Sequence, residues 1–262
     1  MIEDSFFRSM SLTEDLGEPL RFVHYQPTRR AAPVLAAVMQ PGNATMVIAP
    51  YGSGKSLAAG VAALAVRNQP RDREVVGRII PSIDEVDPAL AREMRERSAS
   101  SDEGAVVALS GYVADPLAAI AESIGMTKVP RTVEGFGKAL RDGGWNHVAI
   151  IWDEFGRHLE GLVGEGRPDE LDLLQRLAER CARASGPTMS LTLLLHQNLL
   201  SYASRLNETT RSEWRKVEGR FAVVRMIEDS QEIYQLVAQV VAGLRPGTPK
   251  GKVSTEVVKR VR

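Results

Sequence analysis

From residue 45 onward, short and almost wholly apolar runs alternate with longer stretches whose apolar residues recur every three or four positions. The short runs are Thr45–Ala49, Val106–Ser110, His147–Trp152, Leu191–Leu195 and Phe221–Met226. They are too brief for helices, so they predict five β-strands. The middle ones lack polar alternation, as strands covered by helices on both faces must. The longer stretches predict helices over Ser56–Asn68, Pro88–Arg97, Pro116–Ile124, Val133–Arg141, Pro168–Ala184 and Ser230–Leu244. Strands alternating with helices imply an α/β fold, a three-layer α/β/α sandwich around a mostly parallel five-stranded sheet. The carboxyl ends of such strands are where a site is expected.

Around this core the chain divides by composition. Residues 1–30 read as a mixed, polar lead-in apart from Leu20–Tyr25, and Ala31–Met39 as a short apolar helix ended by Pro41-Gly42-Asn43. The core is then 31–244. Within it, Gln69–Gly104 is charged and poor in aromatics, which predicts an inserted helical hairpin with Ser98–Gly104 as a flexible loop. The tail 245–262 sets Arg245, Lys250, Lys252, Lys259, Arg260 and Arg262 against the single Glu256. It is either a polyanion-binding strip or a solvated terminus.

Composition narrows the classes. The 262 residues include 33 Lys+Arg and 33 Asp+Glu, so no global field draws the protein to nucleic acid or a membrane surface. One cysteine, Cys181, excludes an internal disulfide and a multi-cysteine zinc site. With no apolar run of membrane-spanning length and an acidic start, MIEDSFFRSM, a cytoplasmic protein without a membrane is expected.

The chemistry starts where the first predicted strand meets a glycine-rich turn and a helix: Ala49-Pro50-Tyr51-Gly52-Ser53-Gly54-Lys55-Ser56, then Leu57-Ala58-Ala59. Main-chain N–H groups of such a turn surround a phosphate, and the helix start adds about half a positive charge. Lys55 is then expected on the β- and γ-phosphates and Ser56 on Mg²⁺, as GxxxxGK[ST] requires. The pattern's first Gly is Ala49 here, one methyl larger, which predicts a slightly altered turn and retained binding. A hundred residues on, the apolar His147–Trp152 runs into Asp153-Glu154. If that strand lies beside the first, Asp153 holds the metal's water shell near Ser56 and Glu154 acts as general base toward the attacking water. The alternative is an acidic strand end without further role.

Leu191–Leu195 ends in His196-Gln197-Asn198; Gln197 or Asn198 has the reach to sense a γ-phosphate or orient water, and a strand-end cap is the competing reading. Before the fifth strand, Arg220 is the first and Arg215 the second candidate for a guanidinium delivered to a neighbouring subunit's nucleotide, against the reading of ordinary surface arginines.

The order of Ala49–Ser56, Asp153-Glu154, His196–Asn198 and Gly219-Arg220-Phe221 resembles the AAA+ and related STAND branch of the ASCE P-loop ATPases over roughly 31–244. That resemblance implies strand order 5-1-4-3-2, ATP and Mg²⁺, and Arg220 acting across a subunit interface in a homo-oligomer or a larger multidomain assembly. Asp153–Glu160 and Trp214–Phe221 also resemble large bacterial ATPases of mobile-element or phage-defence gene clusters. The family's small helical lid has no counterpart in the residues after Leu244, so the expectation is either the front part of a longer protein or an ATPase whose lid comes from a partner.

Three functions compete: an ATP-hydrolysing motor or switch coupled to a partner or nucleic acid, an ATP-dependent binding scaffold with little hydrolysis, and a small-molecule P-loop kinase, for which no acceptor pocket is evident. DNA or RNA contact stays open. Adenine follows from the resemblance, with no Asn-Lys-x-Asp guanine pattern in the chain. Arg21–Tyr25 either stacks on the base or packs in the core.

Overall fold

The structure, a computed structural model, describes residues 10–183, 188–204, 206–226 and 234, without the side chains of 168 and 169. The chain divides into two units, Met1–Met226 and Ile227–Arg262. The predicted helix Ser230–Leu244 and the basic tail lie outside the described residues, Tyr234 apart. Among the described residues no helix is long and apolar enough to cross a membrane.

The order of elements is α1 (Leu12–Asp15), a 3-10 turn (Pro19–Phe22), α2 (Ala32–Met39), β1 (Ala44–Ile48), α3 (Lys55–Arg67), α4 (Pro70–Val86), α5 (Pro88–Ala99), β2 (Ala105–Ser110), α6 (Pro116–Ser123), α7 (Val133–Asp142), β3 (His147–Asp153), α8 (Phe155–Gly164), a second 3-10 turn (Pro168–Leu171), α9 (Asp172–Cys181), β4 (Thr188–Leu195), α10 (Leu199–Tyr202), α11 (Glu208–Glu218) and β5 (Ala222–Arg225). The five strands form one sheet of order β2-β3-β4-β1-β5, every pairing parallel, which is 5-1-4-3-2 read from the other edge. One expectation is corrected here. β3 does not lie beside β1; β4 stands between them, paired to both.

Side chains alternate along each strand, so the sheet divides two cores. Val47, Ala149, Ile151 and Leu194 face α1–α5, while Met46, Val107, Val148, Ile150, Trp152 and Leu193 face α6–α11. The absence of polar alternation is explained by this double coverage. Two polar exceptions on β4 are satisfied locally: the Ser190 and Thr192 hydroxyls donate to the Val38 and Ala37 carbonyls at the end of α2, at 2.8 and 3.5 Å.

The lead-in is part of the first core. Leu12, Leu16, Phe22 and Tyr25 are buried there, and Phe22 fills the space left by Gly60 of α3, where a Cβ would fall 2.2 Å from its ring. Phe22 and Tyr25 are therefore packing residues and are not free to stack on a base. The inserted hairpin is present as α4 and α5, each opened by a proline, with Asp87 capping α5 through Ala89 N and Leu90 N. Ser98 and Ala99 belong to α5, so the loop predicted from Ser98 starts later. Asn68, left-handed at φ 54°, ends α3 and donates its Nδ2 to the carbonyls of Arg97, Ser100 and Asp102, each at 3.0 Å. The predicted helix Pro168–Ala184 is a 3-10 turn followed by α9. Helices α8, α10 and α11 had no counterpart in the pattern reading.

Candidate functional site

All five strands point the same way, so their carboxyl ends gather the loops that follow β1, β3 and β4. After Ile48 the chain turns through Ala49, whose N–H donates to Leu195 O at 3.0 Å, to Gly52 (φ 74°) and Gly54 (φ 83°), and α3 opens at Lys55. A Cβ on either glycine would touch nothing within 4 Å, so these positions need glycine for backbone conformation and not for room. No side chain caps the start of α3. Its first N–H groups lack helical partners, which suits an anion. Within the turn Ser53 Oγ is buried without a partner among the described residues, Pro50 and Tyr51 are exposed, and Ser56 is half-buried. Leu57 packs against the first core, so only its main chain belongs to the turn.

Lys55 is only 5% exposed, while Tyr51 is 70% exposed. The Lys55 Nζ donates to Pro50 O at 3.4 Å and meets His196 Nδ1 at 3.2 Å. Tyr51 stacks on the His196 ring at 3.3 Å between centroids, with Nζ 5.5 Å from the Tyr51 centroid. Burial pushes the Lys55 pKa down, opposed by the carboxylates of Asp153 and then Glu154. The His196 pKa is also lowered, first by burial and then by the Lys55 charge, with Asp153 and a main-chain contact at Ala49 opposing. An ammonium has no lone pair, so Nδ1 must accept and the His196 proton belongs on Nε2.

Asp153 ends β3, buried, with its Oδ1 accepting Glu154 N at 2.8 Å and its carbonyl accepting Gly111 N at 3.0 Å. Glu154 is left-handed (φ 49°, ψ 36°) at the start of α8, a conformation costing a non-glycine residue roughly 1–2 kcal/mol. Its carboxylate pairs with Arg157 at 3.1 Å. Gln197 is exposed. Asn198 is exposed too, with its Oδ1 accepting Arg225 Nη1 at 2.8 Å.

The fold thus brings Lys55, Asp153, Glu154 and His196 within electrostatic reach of one another, although β4 separates the two acids' strand from the turn's. It does not bring the arginine candidates there. Arg220 precedes β5, at the amino end of the sheet, and pairs with Glu179 at 3.6 Å; Arg215 pairs with Glu208 at 3.3 Å on α11. Sequence reasoning missed Arg157, which stands one helical turn after Glu154 and becomes readable once α8 is known, and Arg225, which no motif marks. Cys181 is buried and its thiol is pushed up to about 12 by that burial, so it is inert at neutral pH. Among the described residues no group of three or more His, Cys, Asp or Glu is arranged to hold a metal.

No protein-family model matches the chain, and no curated protein matches it.

Proposed function

We infer that the chain is a nucleotide-binding protein of the P-loop class. The particular reading is an ATPase motor or switch of the AAA+ or STAND kind, in which bound nucleotide alters contacts with a partner or a nucleic acid. One observation carries it: a buried lysine at the uncapped start of α3, between two left-handed glycines' turn and the Asp153-Glu154 pair.

The residues fit a magnesium triphosphate. Ser56 and Asp153 offer two oxygens, and Mg²⁺ at a substrate phosphate takes few protein ligands and keeps water for the rest. When bound, the cation would neutralise charge on the β- and γ-phosphates. The chain's own part is binding, orientation and proton removal. Turn amides and Lys55 bind phosphate oxygens. The neutral His196 holds Lys55 without competing for its charge. Glu154 takes a proton from the attacking water, a role worth about 10²–10⁴-fold in rate, and Gln197 or Asn198 orients that water. Arg220, placed away from its own chain's turn, acts only if a neighbouring subunit presents its site to it; the homo-oligomer belongs to the same proposal.

A second reading, the ATP-dependent scaffold with little hydrolysis, is favoured by the Glu154–Arg157 pair, which ties down the carboxylate. Calorimetry with Mg-ATP and phosphate release separate the two. Lys55→Ala is expected to abolish binding in a folded sample, and Glu154→Gln to keep binding and lose hydrolysis. Unchanged nucleotide affinity in Lys55→Ala sinks both readings. Negligible release by the native chain, rising in Arg157→Ala, selects the scaffold.

A further inference from the structure

The buried Lys55 ammonium donates to Pro50 O at 3.4 Å and to His196 Nδ1 at 3.2 Å, both neutral acceptors. The imidazole therefore helps to fix where the charge stands, and something must fix the imidazole. Hydrogen bonding does so at one edge only, since His196 Nε2 is buried with no hydrogen-bond partner among the described residues. In a histidine the bond made by the second nitrogen ordinarily sets ring orientation and tautomer. Here the face of the ring takes over that task. Tyr51 lies on it, with ring centroids 3.3 Å apart and planes 26° from parallel. Rotation about the terminal histidine torsion, otherwise soft and broad, would drive the imidazole edge into the phenol.

The turn explains why Tyr51 is placed there. Pro50 O accepts Ser53 N at 3.4 Å, and Gly52, at φ 74°, takes the third position of that four-residue turn. Tyr51 is the second, and its own backbone is not left-handed. Its side chain leaves the apex and folds back onto the end of β4, with the Lys55 Nζ 5.5 Å from the ring centroid. A ring left 70% exposed gains little from burial. Its aromatic contacts are with the imidazole and the ammonium that meet beside the phosphate-binding turn. Among the described residues its hydroxyl makes no hydrogen bond, so the ring acts through its face.

Resting on the P-loop reading above, we propose that the Tyr51 side chain is a positioning group: its ring holds the His196 imidazole with Nδ1 turned to Lys55, and so sets the ammonium for an incoming phosphate. The effect runs through His196.

Tyr51→Ala tests this, because it removes the ring and leaves the main chain of the turn. It is expected to weaken Mg-ATP binding about tenfold by calorimetry, whereas Tyr51→Phe, which keeps the stack, should stay within about twofold. In a His196→Ala background Tyr51→Ala is expected to cost nothing further, because the residue it acts through is already gone. Unchanged affinity in Tyr51→Ala, equal losses in the Phe and Ala variants, or additive losses in the double variant each overturn the proposal. A second measurement needs no nucleotide. The ring nitrogen resonances of His196 should show one tautomer, protonated at Nε2, in the native chain and in Tyr51→Phe, and an average of two in Tyr51→Ala. Identical resonances in all three overturn the positioning role. If the native chain does not bind Mg-ATP, the P-loop reading fails on its own, and the resonances still decide whether Tyr51 holds His196.

Discussion

The two ends of the same sheet differ in how they treat charge. At the carboxyl end Lys55 and Asp153 are buried, burial lowers the Lys55 and His196 pKa values and the Lys55 charge lowers that of His196 further, and Gly52, Gly54 and Glu154 all take left-handed conformations. At the amino end Arg220–Glu179 is a solvent-screened pair at 3.6 Å, with the Arg220 side chain 53% exposed. An ion pair of that second kind contributes about 0–1 kcal/mol and is easily replaced. A buried lysine facing a buried carboxylate, beside a left-handed glutamate, is the sign of a site, since neither feature helps the fold.

The largest effect expected sharpens the comparison by showing where burial alone acts. His147 opens β3 at the amino end and His158 lies in α8 toward the other; both are buried and both pKa values are lowered to about 4, chiefly by that burial. The folded protein keeps them neutral, whereas the unfolded chain takes up protons below about 6.5. Stability is therefore full above pH 6.5 and falls as pH drops toward 4, by on the order of 3 kcal/mol for each histidine. Urea denaturation at pH 7.5 and 4.5 reads this, and His147→Gln should flatten the profile as much as His158→Gln. Next, Gly54→Val forces a β-branched residue to φ 83° and should weaken Mg-ATP binding about a hundredfold, or ~2.7 kcal/mol, by calorimetry. Wild-type affinity there would mean that the turn does not hold the ligand.

Glu154→Asn is a subtler break. Asparagine tolerates the left-handed region better than glutamate, so the variant should gain up to about 1 kcal/mol in denaturation while losing phosphate release. A loss of stability would show that the conformation is unstrained. The smallest effect is expected at the amino end, where Arg220→Ala should change stability by less than about 0.5 kcal/mol. Its phosphate release at rising protein concentration is the informative reading: a drop confined to concentrated samples would place Arg220 in a neighbour's site.

Most of the sheet was legible because a strand covered on both faces writes itself as an unbroken apolar run, and Met46, Val47, Ile150 and Ile151 leave no other place for themselves. The turn was legible for a different reason, since glycines at Gly52 and Gly54 next to Lys55 satisfy a requirement of backbone angle that few sequences meet. What the pattern hid is instructive. α8 escaped notice because its buried residues, Phe155, His158, Leu159 and Leu162, include a histidine and follow directly on the strand. Phe22 looked like lead-in because its cavity is made by Gly60, 38 positions away by numbering, and a missing side chain leaves no hydrophobic signal. The assumption that β3 adjoins β1 failed because adjacency in a parallel sheet is decided by crossovers, which periodicity does not record. The role of His196 against Lys55 depends on a contact across 141 residues of chain.

The sheet's order also governs how the molecule can come into being. Among the described residues β1 pairs with β4 and β5 alone, both far along the chain from it. A ribosome must therefore deliver everything up to residue 188 before the Ala44–Ile48 edges meet either of these strands, leaving an apolar segment unpaired throughout that interval. Such late closure makes folding slow and gives chaperones a long interval in which to act.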